Sequence, residues 1–376
     1  LGHSIETWYK PLVLALRAGR ALSGLISTSS LLFVYLTARR LWPAAPQRAR
    51  AATALYAFWP QGVFIGSMLT NDLLVSALAA PILYLVIAGG QAGWRPGRLA
   101  ARGGLLFAAL LTKLNGLALI PAVLLALAAA AGRRDPRRAL LWLGGLTTLV
   151  LAAVALLSTM QFVTGQVFQL ATLQRFLDNL AGPGLATRLN SVAYGFWTFF
   201  ASYGWGNLET HPVFYWLWLA GALLALAGLV LQRGRLGDQQ EGGLNAQVLA
   251  ALALTPLSLV LLTVALSVAQ SDAFLVVGRY WLPALPSVVI LLTAGLSALK
   301  PRRVFGRAIQ WAALVVIGAS WAAPFMVIAP AYARPGPMSA EQAAGLDRAQ
   351  SADFGGQIRL LGAFPVTPTR PGQPTM

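Results

Sequence analysis

Apolar runs of membrane-spanning length follow one another along nearly the whole chain, joined by short polar links. A helix rises about 1.5 Å per residue, so some 20 apolar residues cross the hydrocarbon core. Inside lipid each backbone N–H and C=O must be satisfied by the protein itself, and for runs of this length that condition selects a bundle of α-helices. With 57% hydrophobic and 10% charged residues, the composition is far from that of a water-soluble domain. The expected fold is an all-α polytopic membrane protein with about ten transmembrane helices.

The basic residues are sorted by loop, and that sorting sets the orientation. Five links, Arg39 to Arg50, Arg95 to Arg102, Arg133 to Arg138, Arg233 to Arg235 and Lys300 to Arg307, hold 17 of the 28 basic residues, and only three acidic residues, Asp135, Asp238 and Glu241, share their side. The positive-inside rule puts these links in the cytoplasm. The net charge of +17 is therefore read as a topology signal; membrane lipids are expected partners and nucleic acid is not. The spans that satisfy this sorting are approximately 21–38, 51–69, 73–89, 104–113, 117–131, 139–159, 213–232, 246–268, 281–299 and 308–329. Residues 105–131 would make one helix about 40 Å long, but a single crossing would place Arg133, Arg134, Arg137 and Arg138 outside. A hairpin turning at Thr112-Lys-Leu-Asn-Gly116 keeps them inside, because Asn-Gly favours a turn. Its first arm is then too short to span, and Lys113 lies below the outer surface.

Three regions are expected. Residues 1–20 read as the remnant of a first outer loop in a chain that lacks its true N-terminus, since there is no initiator Met and no signal-peptide pattern. Residues 21–330 form the transmembrane domain, and 331–376 a Pro-rich extracytoplasmic tail in which Asp353 to Gly362 looks like a strand start. Within the long outer segment from Met160 to Pro212, Val167 to Leu180 has a helical apolar period and is expected to lie flat on the interface. The aromatics that follow, Tyr194, Phe196, Trp197, Phe199, Phe200, Tyr203 and Trp205, read either as an interfacial belt or as a lid that stacks on a sugar or isoprenoid.

Function classes narrow by what is missing. No Walker or dinucleotide fingerprint is present, and the absence of Cys removes disulfides and thiolate metal sites. Glu209 and His211 are too sparse a pair to define a metal site, and whether a divalent metal is needed stays open. What remains is a set of polar residues that the topology gathers on the outer face: Asn71 and Asp72, Lys113 and Asn115, Asp272, and Arg279 with Tyr280. A carboxylate can take a proton from an acceptor hydroxyl while Lys and Arg hold a leaving phosphate. The blander alternatives are a Lys snorkelling to headgroups and an interfacial Arg-Tyr-Trp anchor.

Five runs carry a family resemblance: Arg17-Ala-Gly-Arg-Ala-Leu-Ser23, Phe58-Trp-Pro-Gln61 ahead of Thr70-Asn-Asp72, Leu110-Leu-Thr-Lys113, Tyr203-Gly-Trp-Gly-Asn207, and Gly278-Arg-Tyr280. In these, over about residues 15–300, the chain resembles the GT-C superfamily of membrane glycosyltransferases, near its protein O-mannosyltransferase-like (family 39) and aminoarabinose-transferase-like branch. The resemblance implies transfer of a sugar from a polyprenyl-phosphate carrier to a protein, lipid or glycan acceptor on the extracytoplasmic face, with that lipid-linked sugar as donor and no certain cofactor. Asp72 matches the second outer carboxylate, while Lys113 and Arg279 match positions suited to the carrier phosphate; Asn71 and Tyr280, from the same polar set, are expected to bind substrate or phosphate beside them. The leading carboxylate of the family is expected upstream of Leu1, Glu6 and His3 being the local substitutes. High Ala, Arg and Gly content fits a bacterial plasma membrane. A flippase for a lipid-linked sugar and a non-catalytic membrane scaffold are the alternatives.

Overall fold

The computed structural model describes residues 10–92, 96–131, 144–145, 148, 178–179, 185–204, 206–232, 246–269, 277–299, 302–333, 352–354 and 358–360. The chain divides into two compact units, Leu1–Ala329 and Pro330–Met376. The first is helical: α1 (Lys10–Leu41), α2 (Pro46–Ala57), α3 (Pro60–Gly66), α4 (Asn71–Ala92), α5 (Pro96–Thr112), α6 (Ile120–Ala131), α7 (Leu185–Phe200), α8 (Pro212–Gln232), α9 (Ala246–Ala269), α10 (Leu285–Ala298) and α11 (Arg302–Ala323). In the second, β1 and β2 of the first unit (Ser202–Tyr203 with Leu208–Glu209) have a small counterpart: β3 (Ala352–Phe354) pairs antiparallel with β4 (Ile358–Leu360).

The protein is a multi-pass membrane protein. Six of the described helical stretches are long and apolar enough to cross a membrane: Pro11–Leu41, Asn71–Ala88, Pro212–Leu231, Ala246–Ala265, Gly278–Ala298 and Ile309–Ala331. Two of them form the middle of the bundle. Asn71–Ala88 is 67% buried and Gly278–Ala298 is 72% buried, against 22% to 33% for the other four. The peripheral helices turn residues such as Trp216, Leu223 and Trp321 outward, the surface that lipid tails require. The expected span 139–159 and the amphipathic stretch 167–180 lie almost wholly outside the described residues.

Two expected elements are corrected. Residues 51–69 are not one helix, because Pro60 lacks an N–H and disfavours helical backbone at the residue before it. Trp59 is accordingly extended (φ −60°, ψ 116°), and Pro60 opens α3 at a position where a missing N–H costs nothing. Distant elements hold the break: Trp59 Nε1 donates to the Phe199 carbonyl at 2.7 Å, the Ser202 N–H donates to Gln61 Oε1 at 2.7 Å, and the Ser320 hydroxyl donates to the Phe58 carbonyl. The arm before Lys113 is also longer than expected. It is the 17-residue helix α5, about 25 Å, and Arg102, read as part of a cytoplasmic link, is buried within it and donates twice to the Leu85 carbonyl of α4.

Small residues let α8 touch the buried α10. A side chain at Gly295 would overlap the Ala225 backbone of α8, and one at Gly228 would overlap Gly295, so α8 and α10 pack backbone to backbone. Removing a buried acceptor tests the polar pins. Gln61→Leu leaves the buried Ser202 N–H without its partner, and thermal unfolding of the protein in nanodiscs should show a loss of about 1–3 kcal/mol.

Candidate active site

The site is assembled from three chain breaks. The first is the start of α4, where Thr70 acts as the cap: the Asp72 N–H donates to Thr70 Oγ1 at 3.3 Å, and the Thr70 hydroxyl reaches Asp72 Oδ2 at 3.4 Å. A carboxylate in the first turn also lies at the positive end of the helix dipole. Further along, the Ser76 hydroxyl donates to the Asp72 carbonyl at 2.6 Å.

Lys113 occupies the second break. It is extended (φ −165°, ψ 146°) between α5 and a 3-10 segment, Leu114–Leu119. The chain then presses back on α5 so closely that a Cβ at Gly116 would meet the Ala109 carbonyl carbon and oxygen at 2.8 Å; only glycine fits. The third break is a 3-10 segment, Gly278–Ala284, that leads into α10. A side chain at Gly278 would overlap the Thr198 and Phe199 backbone of α7, and the Gly278 N–H donates to Thr198 Oγ1 at 2.8 Å. That contact sets where Arg279 and Tyr280 begin.

These breaks bring Asp72, Lys113, Arg279 and Tyr280 together. Lys113 Nζ is ion-paired directly with Asp72 Oδ1, and Arg279 Nε stands 3.9 Å from Asp72 Oδ2. Tyr280 lies against both cations, its ring centroid 4.5 Å from Lys113 Nζ and 5.3 Å from Arg279 Cζ, a geometry in which the ring face attracts each cation. Asn115 Nδ2 donates to the Tyr280 carbonyl at 2.8 Å and ties the second break to the third. The carboxylate is the deepest charge, its side chain 6% exposed against 22% for Lys113 and 21% for Arg279. An anion that approaches the cluster meets the cations before the carboxylate.

Other expected residues fall elsewhere. Asn71, exposed on the first residue of α4, makes no described contact with the cluster, so adjacency in sequence did not carry it into the site. Asp272 lies outside the described residues. The aromatic run is neither belt nor lid at its centre: Phe199, Phe200 and Tyr203 are buried, and Trp59 packs against Phe199, Phe200 and Trp218 with centroids 5.1–5.4 Å apart. His211 caps α8 by accepting from the Val213 N–H at 3.3 Å, and among the described residues no three His, Cys, Asp or Glu side chains come together. Thr198 was not legible in the sequence, since nothing at that helical position marks an 80-residue reach to Gly278.

A protein-family model described as "Predicted membrane protein (DUF2142)" matches residues 13–288. No curated protein matches the chain. Two solved structures are similar to it, both of ArnT from Cupriavidus metallidurans. The apo state is 19% identical, covering 85% of this chain and 51% of that one, with a TM-score of 0.44. The form bound to undecaprenyl phosphate is 19% identical, covering 82% and 50%, with a TM-score of 0.40. The chain spans about half the length of these proteins.

Two variants probe the assembly. Lys113→Met leaves the buried Asp72 with Arg279 alone, and should lower stability by on the order of 3 kcal/mol in thermal unfolding, most of it recovered when Asp72→Leu is added. Gly278→Ala drives a methyl group into the α7 backbone and should lower the melting temperature, whereas Gly318→Ala, where nothing stands within 4 Å of the added carbon, should leave it unchanged or raised.

Proposed function

We propose, for a chain that belongs to the DUF2142 family of predicted membrane proteins, that the Asp72, Lys113 and Arg279 cluster transfers a sugar from a polyprenyl-phosphate carrier to an acceptor hydroxyl. The observation that carries this reading is the charge order: a buried carboxylate paired with Lys113, Arg279 beside it, and both cations more open than the carboxylate. A phosphate arriving at the membrane surface competes with Asp72 for the same cations. Lys113 can swing to the phosphate and Arg279 can meet it with its planar fork. Asp72 is thereby released from its ion pair at the moment the donor is in place.

The transfer then proceeds on groups already positioned. The acceptor oxygen bonds to the anomeric carbon as the bond from that carbon to the phosphate oxygen breaks. Asp72 takes the acceptor's proton, and the polyprenyl phosphate leaves with the electron pair, its charge held by Lys113 and Arg279. Tyr280 keeps the two cations on one side of the carboxylate, and Asn115 keeps Tyr280 in place. The acceptor is a glycan, lipid or protein hydroxyl. The loop charge sorting supports an extracytoplasmic site, and the Ala-, Arg- and Gly-rich composition supports a bacterial plasma membrane.

The test is a sugar-transfer assay with polyprenyl-phosphate donors in proteoliposomes. Asp72→Asn should lower the transfer rate by about 10²–10⁴-fold while leaving carrier-phosphate binding undiminished, because the cations lose a competitor. Lys113→Met and Arg279→Met should each weaken carrier-phosphate binding by roughly tenfold or more. Full transfer by Asp72→Asn would sink the catalytic role, and carrier movement across the bilayer that survives Asp72→Asn without any transfer would favour a flippase.

A further inference from the structure

Beside the ionic cluster lies an open cleft of about 80 Å³ between α1, α2, α3 and α4 and the 3-10 segment before α10. Ser76 lines it four residues after Asp72, and Leu282 three residues after Arg279. Its lining is mixed in character. Ser27, Thr28, Ser30, Tyr56 and Ser76 bring hydroxyls to its lining, Leu73, Leu282 and Leu285 bring apolar side chains, and among the described residues that line it there is no Lys, Arg, Asp or Glu.

The hydroxyls are also oriented. Thr28 donates to the Gly24 carbonyl at 2.7 Å, Ser30 to the Ser27 carbonyl and Ser76 to the Asp72 carbonyl at 2.6 Å. With the Ser30 proton committed to a helix carbonyl, the 2.9 Å bond between Ser30 Oγ and Tyr56 Oη has Tyr56 as donor. These four hydroxyls therefore have their protons committed and offer lone pairs, and Ser27 adds a fifth hydroxyl to the lining. A lining rich in hydroxyl acceptors, without charge and mixed with apolar side chains, suits a ligand that presents several O–H donors together with C–H groups. A charged headgroup would find no counter-charge, and a bare alkyl chain would leave the acceptors unsatisfied. The volume admits several waters, whose places the hydroxyls on one edge of a ring can take.

We infer that this cleft is a recognition subsite for the hydroxyl-bearing edge of a neutral sugar ring, beside the cations that hold the phosphate. As a donor-sugar subsite it rests on the transferase reading; as a glycoside-binding cleft it does not, and the two are separable by experiment. Saturation-transfer NMR on the purified protein in nanodiscs would measure binding of butyl β-glucopyranoside and of its per-O-methylated form, which keeps the ring and loses the donors. The wild type should bind the first and bind the second at least tenfold more weakly. Ala77→Leu, which fills the cleft from α4, should abolish glycoside binding, and Thr28→Val, which removes one acceptor from an exposed position, should weaken it about fivefold. Polyprenyl-phosphate binding should be unchanged in both variants. Equal binding of the two glycosides, or glycoside binding unaffected by both substitutions, overturns the subsite. If Ala77→Leu does not fold, Thr28→Val and the methylated probe decide it. Glycoside binding by a wild type that ignores polyprenyl phosphate would leave the cleft standing and remove the transferase reading.

Discussion

The ion pair between Lys113 and Asp72 is the interaction around which the membrane domain is organised. An ionisable group at the end of an apolar helix is costly to leave alone, and these two charges lie 41 residues apart in sequence, one directly after α5 and the other in the first turn of α4. Their pairing obliges the start of one helix and the end of the other to meet on one side of the bundle. Arg279, at 3.9 Å from the same carboxylate, adds the segment that leads into α10. The two most buried membrane-length stretches, Asn71–Ala88 and Gly278–Ala298, are those that deliver the carboxylate and the Arg.

Precision comes from close backbone contact. Gly116 lets the chain fold back on α5 directly after Lys113, and Gly278 lets the 3-10 segment lie against α7 directly before Arg279. In both places a methyl group would move the neighbouring charge. Behind them the Trp59 box and its hydrogen bond to Phe199 hold α7 against the α2–α3 break. The same α7 supplies Thr198 to Gly278, so the aromatic packing is connected to the site through a single helix.

How much was legible follows from the kind of signal. Asp72, Lys113 and Arg279 stood out because each is a charge bounded by apolar runs, where a charge needs a partner. The polytopic helical class was legible for the same reason that any long apolar run is: lipid admits few alternatives. Residues 51–69 were misread because apolar length outweighed the Phe58-Trp-Pro-Gln61 sequence, although Pro60 marks the break. Arg102 was assigned to a link because it is charged, yet its buried guanidinium answers a carbonyl on α4. Asn71 was grouped with Asp72 because they are neighbours, and helix geometry turns adjacent residues in different directions.

By itself the sequence determined the membrane class, the approximate positions of most helices and which charges had to be accounted for, because hydropathy and charge act locally and leave a one-dimensional trace. Only the tertiary structure decided that Asp72 pairs with Lys113, that Tyr280 lies against two cations, and that the aromatic run at Phe199–Tyr203 is core. Those outcomes depend on backbone approaches at Gly116 and Gly278 and on contacts across 41, 80 and 140 residues. Contacts of that range leave no periodicity in the chain, since each is made by one residue meeting one other.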